Sequence, residues 1–427
     1  MRLAVFTSKY PARVATFFER DLRALIAAGV EVDVFAIYPL DAAMWRYNLG
    51  LLSEDVLPRT RVHHLTLPET LGALPWIMGR DARTWLRDAA AVTTSALRYG
   101  PAPLAKSLYV LPKAWAWARA FPDRFDHILA YWGNYAATCA YAFHRLTNPS
   151  VPLSIWLHAG TDLYRQPVYL RQKLAYADRI ITCCEFNRRY LAQLFPTLAS
   201  SLQAKLHVSY HGLDLARFPF EPEGRPPQRL VAVGRCAGEK GFDHLLRALH
   251  LLAQRGSAAE LELVGDGPQL PALKRLARQL GITDRVRFRG WLRFDEAHAA
   301  MRAATILVHP SPGLGDGLPN VIREAMALGT PVIATQVAGI PEALDGGRCG
   351  VLVPPRDTVA LADAIAALLD DGPRRLRLAA LARHRTEALF DTWINGARLA
   401  DVLHRTPPRD ARLAATALTP LPQTGPP

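Results

Sequence analysis

The spacing of apolar and polar residues predicts strands and helices in alternation from the first residues onward. Leu3–Phe6 is a short apolar run typical of a buried strand, Thr16–Ala28 has helical periodicity, and Val30–Ile37 is a second apolar run. The same pattern predicts further strands at Ile128–Tyr131, Leu153–His158, Arg179–Cys183 and Lys205–Tyr210. This order predicts a parallel sheet with helices on both faces.

A second series of the same kind follows residues 221–228, a polar stretch rich in Pro and Gly that we interpret as a linker. Its predicted strands are Arg229–Val233, Glu260–Val264, Val286–Arg289, Ile306–His309, Pro331–Ala334 and Gly350–Val353. Helical patterns continue from Thr358 to Leu399. The chain is therefore predicted to be an α/β protein of two doubly wound, Rossmann-like domains.

Composition and charge narrow the class of protein. Half of the 427 residues are apolar and 21% are charged, which favours packed globular domains. The net charge is +13, with 44 Arg and 7 Lys, but no helix-turn-helix, RRM or zinc pattern accompanies it, so we expect no nucleic-acid partner. Scattered cysteines, and the lack of a signal peptide or an apolar run of membrane-spanning length, predict a cytoplasmic protein.

Residues 75–121 are predicted to form a helical insertion that is both basic and aromatic. Its basic residues are Arg80, Arg83, Arg87, Arg98, Lys106, Lys113 and Arg119, against Asp81 and Asp88, for a local net charge of +5. Its large aromatic residues are Trp76, Trp85, Tyr99, Tyr109, Trp115 and Trp117. One interpretation is a surface for an anionic membrane. The other is an ordinary helical cap with core tryptophans and solvated arginines.

The most specific segment runs from Gly313 to Pro331 and follows a predicted buried strand that ends at His309. Its glycines let the backbone approach a ligand, and Pro319 suits the first position of a following helix. The amides at a helix N-terminus bind anions. We therefore predict a phosphate or polyhydroxyl site, in which Asp316 and Glu324 accept hydrogen bonds from sugar or ribose hydroxyls.

A second Gly-rich turn, Gly234–Gly241, joins the first strand of the second domain to a helix predicted over Phe242–Ala253. It places Arg235 and Lys240 at the carboxyl end of that strand, where open α/β sheets bind ligands. A lysine at this point of an arginine-rich chain favours a specific role for a compact ammonium. The spacing is not that of a P-loop.

Five motifs in order resemble the retaining glycosyltransferases of family 4. They are the Asp316-x7-Glu324 segment with the Ala-Met-Ala-Leu-Gly-Thr-Pro run, Gly234-Arg-x4-Lys-Gly241, Leu263-Val-Gly-Asp-Gly-Pro268, Val286-Arg-Phe-Arg-Gly290 and Tyr210-His-Gly-Leu-Asp214. The first domain is more loosely similar, through Lys9-Tyr-Pro11 with Thr16-Phe17, Tyr131-Trp-Gly-Asn134 and His158-Ala-Gly-Thr-Asp162. These motifs resemble the subgroup that builds exopolysaccharides such as colanic acid and amylovoran.

The resemblance implies a GT-B fold, in which two Rossmann-like domains face each other across a cleft. The implied division is an acceptor-binding domain over 1–220, a nucleotide-sugar-binding domain over 229–385, a helix at 386–405 that returns to the first domain, and a disordered Pro-rich tail at 406–427.

By resemblance, Arg235 and Lys240 bind the diphosphate of the donor and stabilise the leaving group, beside Gly234. Glu324 holds the ribose, and His158 lies beside the anomeric carbon. The transferred sugar meets Asp316 and the amides of Gly317, Leu318, Pro319 and Asn320, of which proline can offer no N–H. The base meets the main chain near Gly290, Trp291 and Leu292.

Three points stay open at the level of sequence. The family usually has Glu at the position of Asp316, so this carboxylate either contacts the sugar in an altered way or only stabilises its loop. Glu239 either reaches the sugar or caps the following helix. His158 is either functional or a histidine satisfied by backbone at a strand end.

The predicted function is transfer of a hexose from UDP- or GDP-hexose, with retention, to a lipid-linked saccharide. We expect no metal and no cofactor, since the sequence contains no Asp-x-Asp pair, and a location on the inner face of the cytoplasmic membrane. The alternatives are a sugar-nucleotide 2-epimerase of the same architecture and a non-catalytic protein that binds sugar nucleotides.

Overall fold

A computed structural model describes residues 1–10, 16–38, 60–73, 75, 82–165 and 167–407. The side chains of Thr16 and Thr161 also lie outside the description. Contacts divide the chain into two compact units. Unit 1 comprises Met1–Tyr210 and the segment from Trp393 onward, and unit 2 comprises His211–Thr392.

Unit 1 is built on a parallel sheet of seven strands in the order β3-β2-β1-β4-β5-β6-β7. The strands are β1 Arg2–Thr7, β2 Glu31–Ala36, β3 Thr60–His63, β4 His127–Ala130, β5 Leu153–Leu157, β6 Arg179–Thr182 and β7 Leu206–Val208. The strand order reverses between β1 and β4, as in doubly wound sheets. The central strands β1, β4 and β5 are almost wholly buried, in keeping with their unbroken apolar runs.

The helices of unit 1 cover both faces of this sheet. They are α1 Thr16–Ala27, α2 Leu67–Gly72, α3 Ala82–Leu97, α4 Pro101–Ala120, α5 Tyr135–Leu146, α6 Leu170–Tyr176, α7 Glu185–Leu194 and α8 Ala199–Lys205. Helix α8 includes Lys205, which the sequence pattern assigned to a strand. The Lys205 ammonium donates to the carbonyls of Ala175 and Ala177 at 3.1 and 2.8 Å, so its side chain is attached to the end of α6.

Strand β3 was not predicted from the sequence. It lies at the edge of the sheet, and its exposure is mixed. Side chains rather than an apolar run tie it to β2, since His63 Nε2 lies 2.7 Å and Arg61 Nη2 3.2 Å from the carboxylate of Asp33. The hydrogen bond from His63 and the positive charge of Arg61 outweigh the effect of burial and hold the pKa of Asp33 below its usual range.

The predicted insertion is helical, as α3 and α4, but its tryptophans are not surface anchors. Trp115 and Trp117 lie in the core of unit 1, and Trp85 packs on Trp115 with ring centroids 4.7 Å apart. For these three rings the membrane interpretation is wrong, because the insertion needs them to cover the sheet. Trp76, Arg80 and Asp81 lie outside the described residues.

Unit 2 contains a parallel sheet of six strands in the order β10-β9-β8-β11-β12-β13. The strands are β8 Arg229–Val233, β9 Glu260–Val264, β10 Val286–Gly290, β11 Ile306–His309, β12 Val332–Thr335 and β13 Val351–Val353. The helices are α9 Phe242–Gln254, α10 Leu270–Gln279, α11 Phe294–Arg302, α12 Asn320–Leu328, α13 Ile340–Ala343, α14 Thr358–Asp370 and α15 Gly372–Leu389. The predicted α/β class with two doubly wound sheets is confirmed.

The division between the units differs from the predicted one. Residues 221–228, predicted as a linker, belong to unit 2. The Arg225 guanidinium attaches them there by donating to the carbonyls of Met301, Arg302, Ala304 and Leu328 at 2.6 to 3.1 Å. Leu213 is also bridged to Asp391.

The last described helix, α16 Thr392–His404, packs on unit 1. Its Leu399, Ala400 and Leu403 share a buried cluster with Phe18 and Leu22 of α1. The predicted disordered tail lies outside the described residues from 408 onward. No described helix combines the length and the hydropathy needed to cross a membrane.

Candidate functional site

Two loops of unit 2 meet where its strand order reverses. One follows β8 and contains a 3-10 turn at Gly238–Lys240, and the other follows β11 and leads into α12. Gly241 has a φ of 65°, and a Cβ atom placed there would lie 2.1 Å from the carbonyl oxygen of Pro310. Only glycine therefore allows the loops to approach so closely. Open α/β sheets bind ligands in this crevice.

The structure brings together two of the predicted site residues, Lys240 and Asp316. The Lys240 ammonium donates to both carboxylate oxygens of Asp316 at 2.8 and 2.7 Å. Both side chains are largely buried, with exposed fractions of 16% and 15%. Asp316 therefore holds the one predicted lysine of the site in a fixed position.

Two further side chains hold Asp316, and both were missed at the sequence level. The Ser311 hydroxyl lies 2.8 Å and His309 Nε2 3.1 Å from Oδ2 of Asp316. Thr335 in turn donates to the Ser311 carbonyl at 2.7 Å. The available signal was the position of His309 and Ser311 at the carboxyl end of a buried strand, where polar residues tend to serve a ligand site.

This network sets the charges of its members. Burial by itself would raise the pKa of Asp316, but the charge of Lys240 and the bond from His309 hold that pKa far below its usual range. Burial, reinforced by Lys240, lowers the pKa of His309. We therefore assign a carboxylate at Asp316 and a neutral imidazole whose Nε2–H donates to it. The network supplies a lysine cation that is oriented before any ligand arrives.

Arg235, the other predicted cation, is two-thirds exposed and pairs with the carboxylate of Glu239. Neither sequence interpretation of Glu239, as a sugar contact or as a helix cap, included this pair. The pair lies on the same turn as Lys240. The turn therefore presents one fixed cation and one exposed cation.

Helix α12 begins at Asn320, and Pro319 is its N-cap in an extended conformation, with a ψ of 130°. The prediction that Pro319 opens the helix is thus wrong by one residue. The first-turn amides of a helix have no partner within the helix. Gly317 is fixed by accepting a hydrogen bond from the Gly339 amide at 2.8 Å, and Leu318 is buried.

Glu324 lies on the buried side of α12, with Oε2 3.9 Å from His298 Nε2 of α11. The neighbouring Arg323 is fully buried and donates to the His211 carbonyl and to the Asn320 side chain. Arg323 therefore fixes the start of α12, although no sequence argument singled it out. The structure does not bring Glu324 into the hydrogen-bond network of Asp316 described above.

The remaining predicted donor residues lie at the ends of β8 and β10. The Gly234 amide donates to the Val264 carbonyl at 2.9 Å, and the Gly290 carbonyl accepts from the Gly265 amide at 2.8 Å. Trp291 and Leu292 follow directly and are half-buried. These bonds align the carboxyl ends of three neighbouring strands.

A cavity of about 370 Å³ opens beside the same turn, between α9 and α10. It is lined by Gly238, Asp243, His244, Gln269, Ala272, Leu273, Leu276, Pro312 and Arg356. None of the predicted donor residues lines it. We place the candidate site at the loops and not in this cavity, because the oriented lysine and the start of α12 are at the loops.

His158 belongs to unit 1, where it directly follows β5. Its Nδ1 lies 3.5 Å from Oδ2 of Asp162, which is buried. Its ring centroid is 4.4 Å from that of Trp132 and 5.0 Å from that of Tyr131. His158 is therefore held among aromatic rings beside a carboxylate, at the carboxyl edge of the first sheet.

No described group of three or more His, Cys, Asp or Glu side chains could hold a metal ion. The five cysteines are buried and unbridged.

Comparison with known proteins finds a family match within the second unit. The family described as "Glycosyl transferases group 1" matches residues 227–371. The chain is 28% identical to WcaL of Escherichia coli (strain K12), which is named as a colanic acid biosynthesis glycosyltransferase, over 94% of this chain and 99% of WcaL. It is 26% identical to the amylovoran biosynthesis glycosyltransferase AmsK of Erwinia amylovora, over 95% of this chain and 100% of AmsK.

Solved structures share the fold. Sucrose-phosphate synthase from Thermosynechococcus elongatus superposes with a TM-score of 0.70 at 21% identity, over 97% of this chain and 100% of its own. Anabaena Alr3699/HepE in complex with UDP and glucose superposes with a TM-score of 0.67 at 21% identity, over 95% and 99% of the two chains. Residues 227–371 therefore match the model of the group 1 glycosyl transferases, and the chain has the GT-B fold that its motifs indicated.

Proposed function

We propose that the protein is a retaining glycosyltransferase that moves a hexose from a nucleotide-diphosphate sugar to a lipid-linked saccharide in exopolysaccharide synthesis. The observation that carries this proposal is the Lys240–Asp316 pair, which orients a cation on the loop beside the start of α12. A cation and helix amides together suit a diphosphate. The names of WcaL and AmsK support the biosynthetic setting.

Each side chain of the site has a proposed role. Lys240 and the exposed Arg235 bind the diphosphate, Glu324 binds the ribose, and the amides around Asn320 approach the transferred sugar. We assign Asp316 to orienting Lys240, because its carboxylate already accepts from Lys240, His309 and Ser311. His158 of unit 1 is proposed to lie near the anomeric carbon in the reacting complex.

The proposed reaction needs no group beyond the two substrates. The acceptor hydroxyl oxygen bonds to the anomeric carbon on the face from which the diphosphate oxygen departs, so the configuration is retained. The hydroxyl proton passes to the departing oxygen, and the products are the glycosylated acceptor and a nucleoside diphosphate. Negative charge develops on the leaving group, where fixed cations stabilise the transition state more than the ground state. We propose that no metal is required.

The test is transfer from radiolabelled UDP- and GDP-hexoses to a bacterial lipid fraction, with the anomer of the product determined. Lys240→Ala is expected to lower the rate by about 100-fold or more, as for loss of other preorganised donors. Glu324→Ala should chiefly weaken donor binding in titration calorimetry. Matched controls are Lys274→Ala and Glu260→Ala, which remove exposed residues of unit 2.

Transfer at the wild-type rate by both Lys240→Ala and Glu324→Ala would show that the site is assigned wrongly. Epimer formation without acceptor would identify a 2-epimerase instead. Binding of UDP or GDP without turnover on any acceptor would identify a non-catalytic binding protein.

We further propose that the insertion in unit 1 contacts an anionic membrane surface on the cytoplasmic side, where a lipid-linked acceptor would be met. Large apolar side chains of the insertion are exposed at Leu86, Leu97, Tyr99, Leu108 and Tyr109, as are Leu67 and Leu71 of α2 just before it. Arg83, Arg87, Arg98 and Lys106 lie exposed on the same helices and the turn between α3 and α4. Leucine and tyrosine, rather than the predicted tryptophans, would enter the headgroup region.

Pelleting with vesicles tests this surface. Because each cation near an anionic bilayer contributes about 1 kcal/mol, the fourfold Gln variant at Arg83, Arg87, Arg98 and Lys106 should bind anionic vesicles at least about tenfold more weakly. The control is the fourfold Gln variant at the exposed Arg275, Arg278, Arg287 and Arg377 of unit 2. If binding to vesicles does not depend on lipid charge, or if both variants lose the same affinity, the insertion is only a helical cap.

A further inference from the structure

Asp162 is a buried carboxylate to which the proposed reaction assigns no role. It lies in a π-helical turn at Thr161–Arg165, and its side chain is 1% exposed. Neither of its carboxylate oxygens accepts a hydrogen bond from the residues that the structure describes. A buried carboxylate without donors is costly, and π-helical turns are frequent at functional sites.

A buried lysine lies behind this carboxylate. Lys173 of α6 is fully buried, and its ammonium donates to the carbonyls of Gly133 and Asn134 at 2.7 and 2.9 Å. It also donates to the Thr138 hydroxyl at 3.2 Å. Lys173 interacts with Asp162 through charge, but its hydrogen bonds go to the turn between β4 and α5. Asp162 therefore has a basic group nearby that does not take up its oxygens, and it keeps its acceptor capacity.

The packing around Asp162 fixes the backbone of the turn that carries it. A Cβ atom at Gly133 would lie 2.2 Å from the Leu157 side chain and 3.4 Å from the Asp162 carbonyl. The backbone next to it is also fixed, since the Asn187 side chain donates to the His158 carbonyl at 2.5 Å. The turn that carries Asp162 is thus built against its neighbours on two sides.

The imidazole of His158 is held in a single plane by the rings around it. Trp156 stacks on it with an interplanar angle of 22° at 5.6 Å, and Phe17 lies 5.7 Å away. In this plane Nδ1 faces Asp162 at 3.5 Å, about half an ångström beyond an ordinary hydrogen bond. A shift of about half an ångström between the two groups would complete that bond.

We propose that Asp162 is the positioning residue for His158: its carboxylate accepts Nδ1–H and so leaves Nε2 as the nitrogen without a proton. A carboxylate fixes tautomer and ring orientation in this way wherever it backs a functional histidine. The importance of this tautomer for catalysis rests on the proposed function, in which His158 lies beside the anomeric carbon. The tautomer itself can be measured without any substrate.

The experiment is ¹⁵N NMR of the histidine rings in the full chain at about pH 8, well above the usual histidine pKa of about 6.5. His158→Gln assigns the signal by its loss. We expect the Nδ1–H tautomer in the wild type, and in Asp162→Asn a fall of about tenfold or more in the ratio of Nδ1–H to Nε2–H. The reason is that an asparagine amide can donate to Nδ1 where a carboxylate only accepts.

Two variants keep this test decisive. Asp88→Asn alters another buried carboxylate of unit 1, which pairs with Arg145 at 2.6 Å, and should leave the His158 tautomer unchanged. Asp162→Glu keeps the charge and should keep the tautomer. If Asp162→Asn does not fold, the tautomer of the wild type still decides. An Nε2–H tautomer in the wild type, or equal changes in Asp162→Asn and Asp88→Asn, would overturn the proposal.

The transfer assay separates this proposal from the proposed function. If hexose transfer occurs, Asp162→Asn should lower kcat by about tenfold to 100-fold with little change in KM, as for loss of partners that orient functional groups. If no transfer occurs but the tautomer switches, the positioning role stands and the proposed function fails. If transfer occurs and the tautomer does not switch, Asp162 has only a structural role.

Discussion

Each unit buries a lysine, a carboxylate and a histidine at the carboxyl edge of its parallel sheet, and the two sets are connected differently. In unit 2 the Lys240 ammonium binds Asp316 directly at 2.7 and 2.8 Å, and Ser311 and His309 complete the set. In unit 1 the Lys173 ammonium binds main-chain carbonyls. There, the carboxylate of Asp162 keeps its acceptor capacity.

The difference teaches what each set can do. A carboxylate that already has its donors fixes a cation in advance, which is what stabilisation of a leaving group requires. A carboxylate whose oxygens remain able to accept hydrogen bonds can orient a donor such as an imidazole N–H. Under the proposals above, the same three residue types give a prepared electrostatic site in unit 2 and an orienting site in unit 1.

The largest effect on stability should come from breaking the set in unit 2. Asp316→Asn leaves a largely buried ammonium without its counter-charge, and we expect a loss of about 3 kcal/mol in the free energy of unfolding of this unit. Scanning calorimetry should show its transition lowered by about 6 to 12 °C. Asp363→Asn removes an exposed partner of Arg255 and should cost about 0.5 kcal/mol or less. Equal losses in the two variants would contradict the comparison.

The stability of unit 2 at low pH should also depend on the carboxylate of Asp316. Because the pKa of Asp316 is lowered in the folded state, its contribution is complete above the unfolded value of about 3.9 and is lost as the pH falls below it. The stability difference between wild type and Asp316→Asn should therefore shrink from pH 5 to pH 3, by up to about 1.4 kcal/mol per pH unit. A constant difference would mean that Asp316 is not ionised in the folded protein.

In unit 1 the pH dependence of stability should come from Lys173. Burial lowers the pKa of Lys173 to about 7, against about 10.4 when unfolded, despite the opposing charge of Asp162. The unfolded state therefore binds more protons between these values, and stability should rise with pH. Urea unfolding from pH 7 to 9 should show wild type gaining about 1 kcal/mol per pH unit relative to Lys173→Met. Parallel curves would show that Lys173 stays charged.

The smallest effect on stability should come from Asp162. Since Asp162→Asn breaks none of the hydrogen bonds seen in the described structure, we expect the free energy of unfolding to change by less than about 1 kcal/mol. Calorimetry beside Asp316→Asn makes the comparison direct. A loss as large as that of Asp316→Asn would show that the two carboxylates are held alike.

Much of the fold could be predicted because central strands of parallel sheets are apolar on both faces. Strands such as β1 and β11 stand out as continuous runs. Strand β3 does not, because an edge strand is partly solvated, and here Arg61 and His63 pair with Asp33 in place of an apolar run. The unit boundary was misplaced for a similar reason: the contacts of Arg225 with distant carbonyls outweigh the Pro- and Gly-rich composition around it.

The site could be predicted as a set of residues but not as a network. Lys240 and Asp316 were each singled out, yet 76 residues separate them, and sequence spacing cannot show that two loops meet. His309 and Ser311 were not predicted as site residues, because strand ends carry polar residues for many reasons. Lys173 escaped notice because a lysine on an amphipathic helix is usually on its solvated face.

The use of lysine in an arginine-rich chain has a practical consequence. Lys113, Lys173, Lys205 and Lys240 are each buried or half-buried with the ammonium hydrogen-bonded. Lys9, Lys106 and Lys274 are exposed. An amine-reactive reagent would therefore modify the second group first, and the others only as their surroundings open. Protection of Lys240 from the reagent would therefore show that its loop is folded. Protection of Lys173 would show that the first sheet is intact.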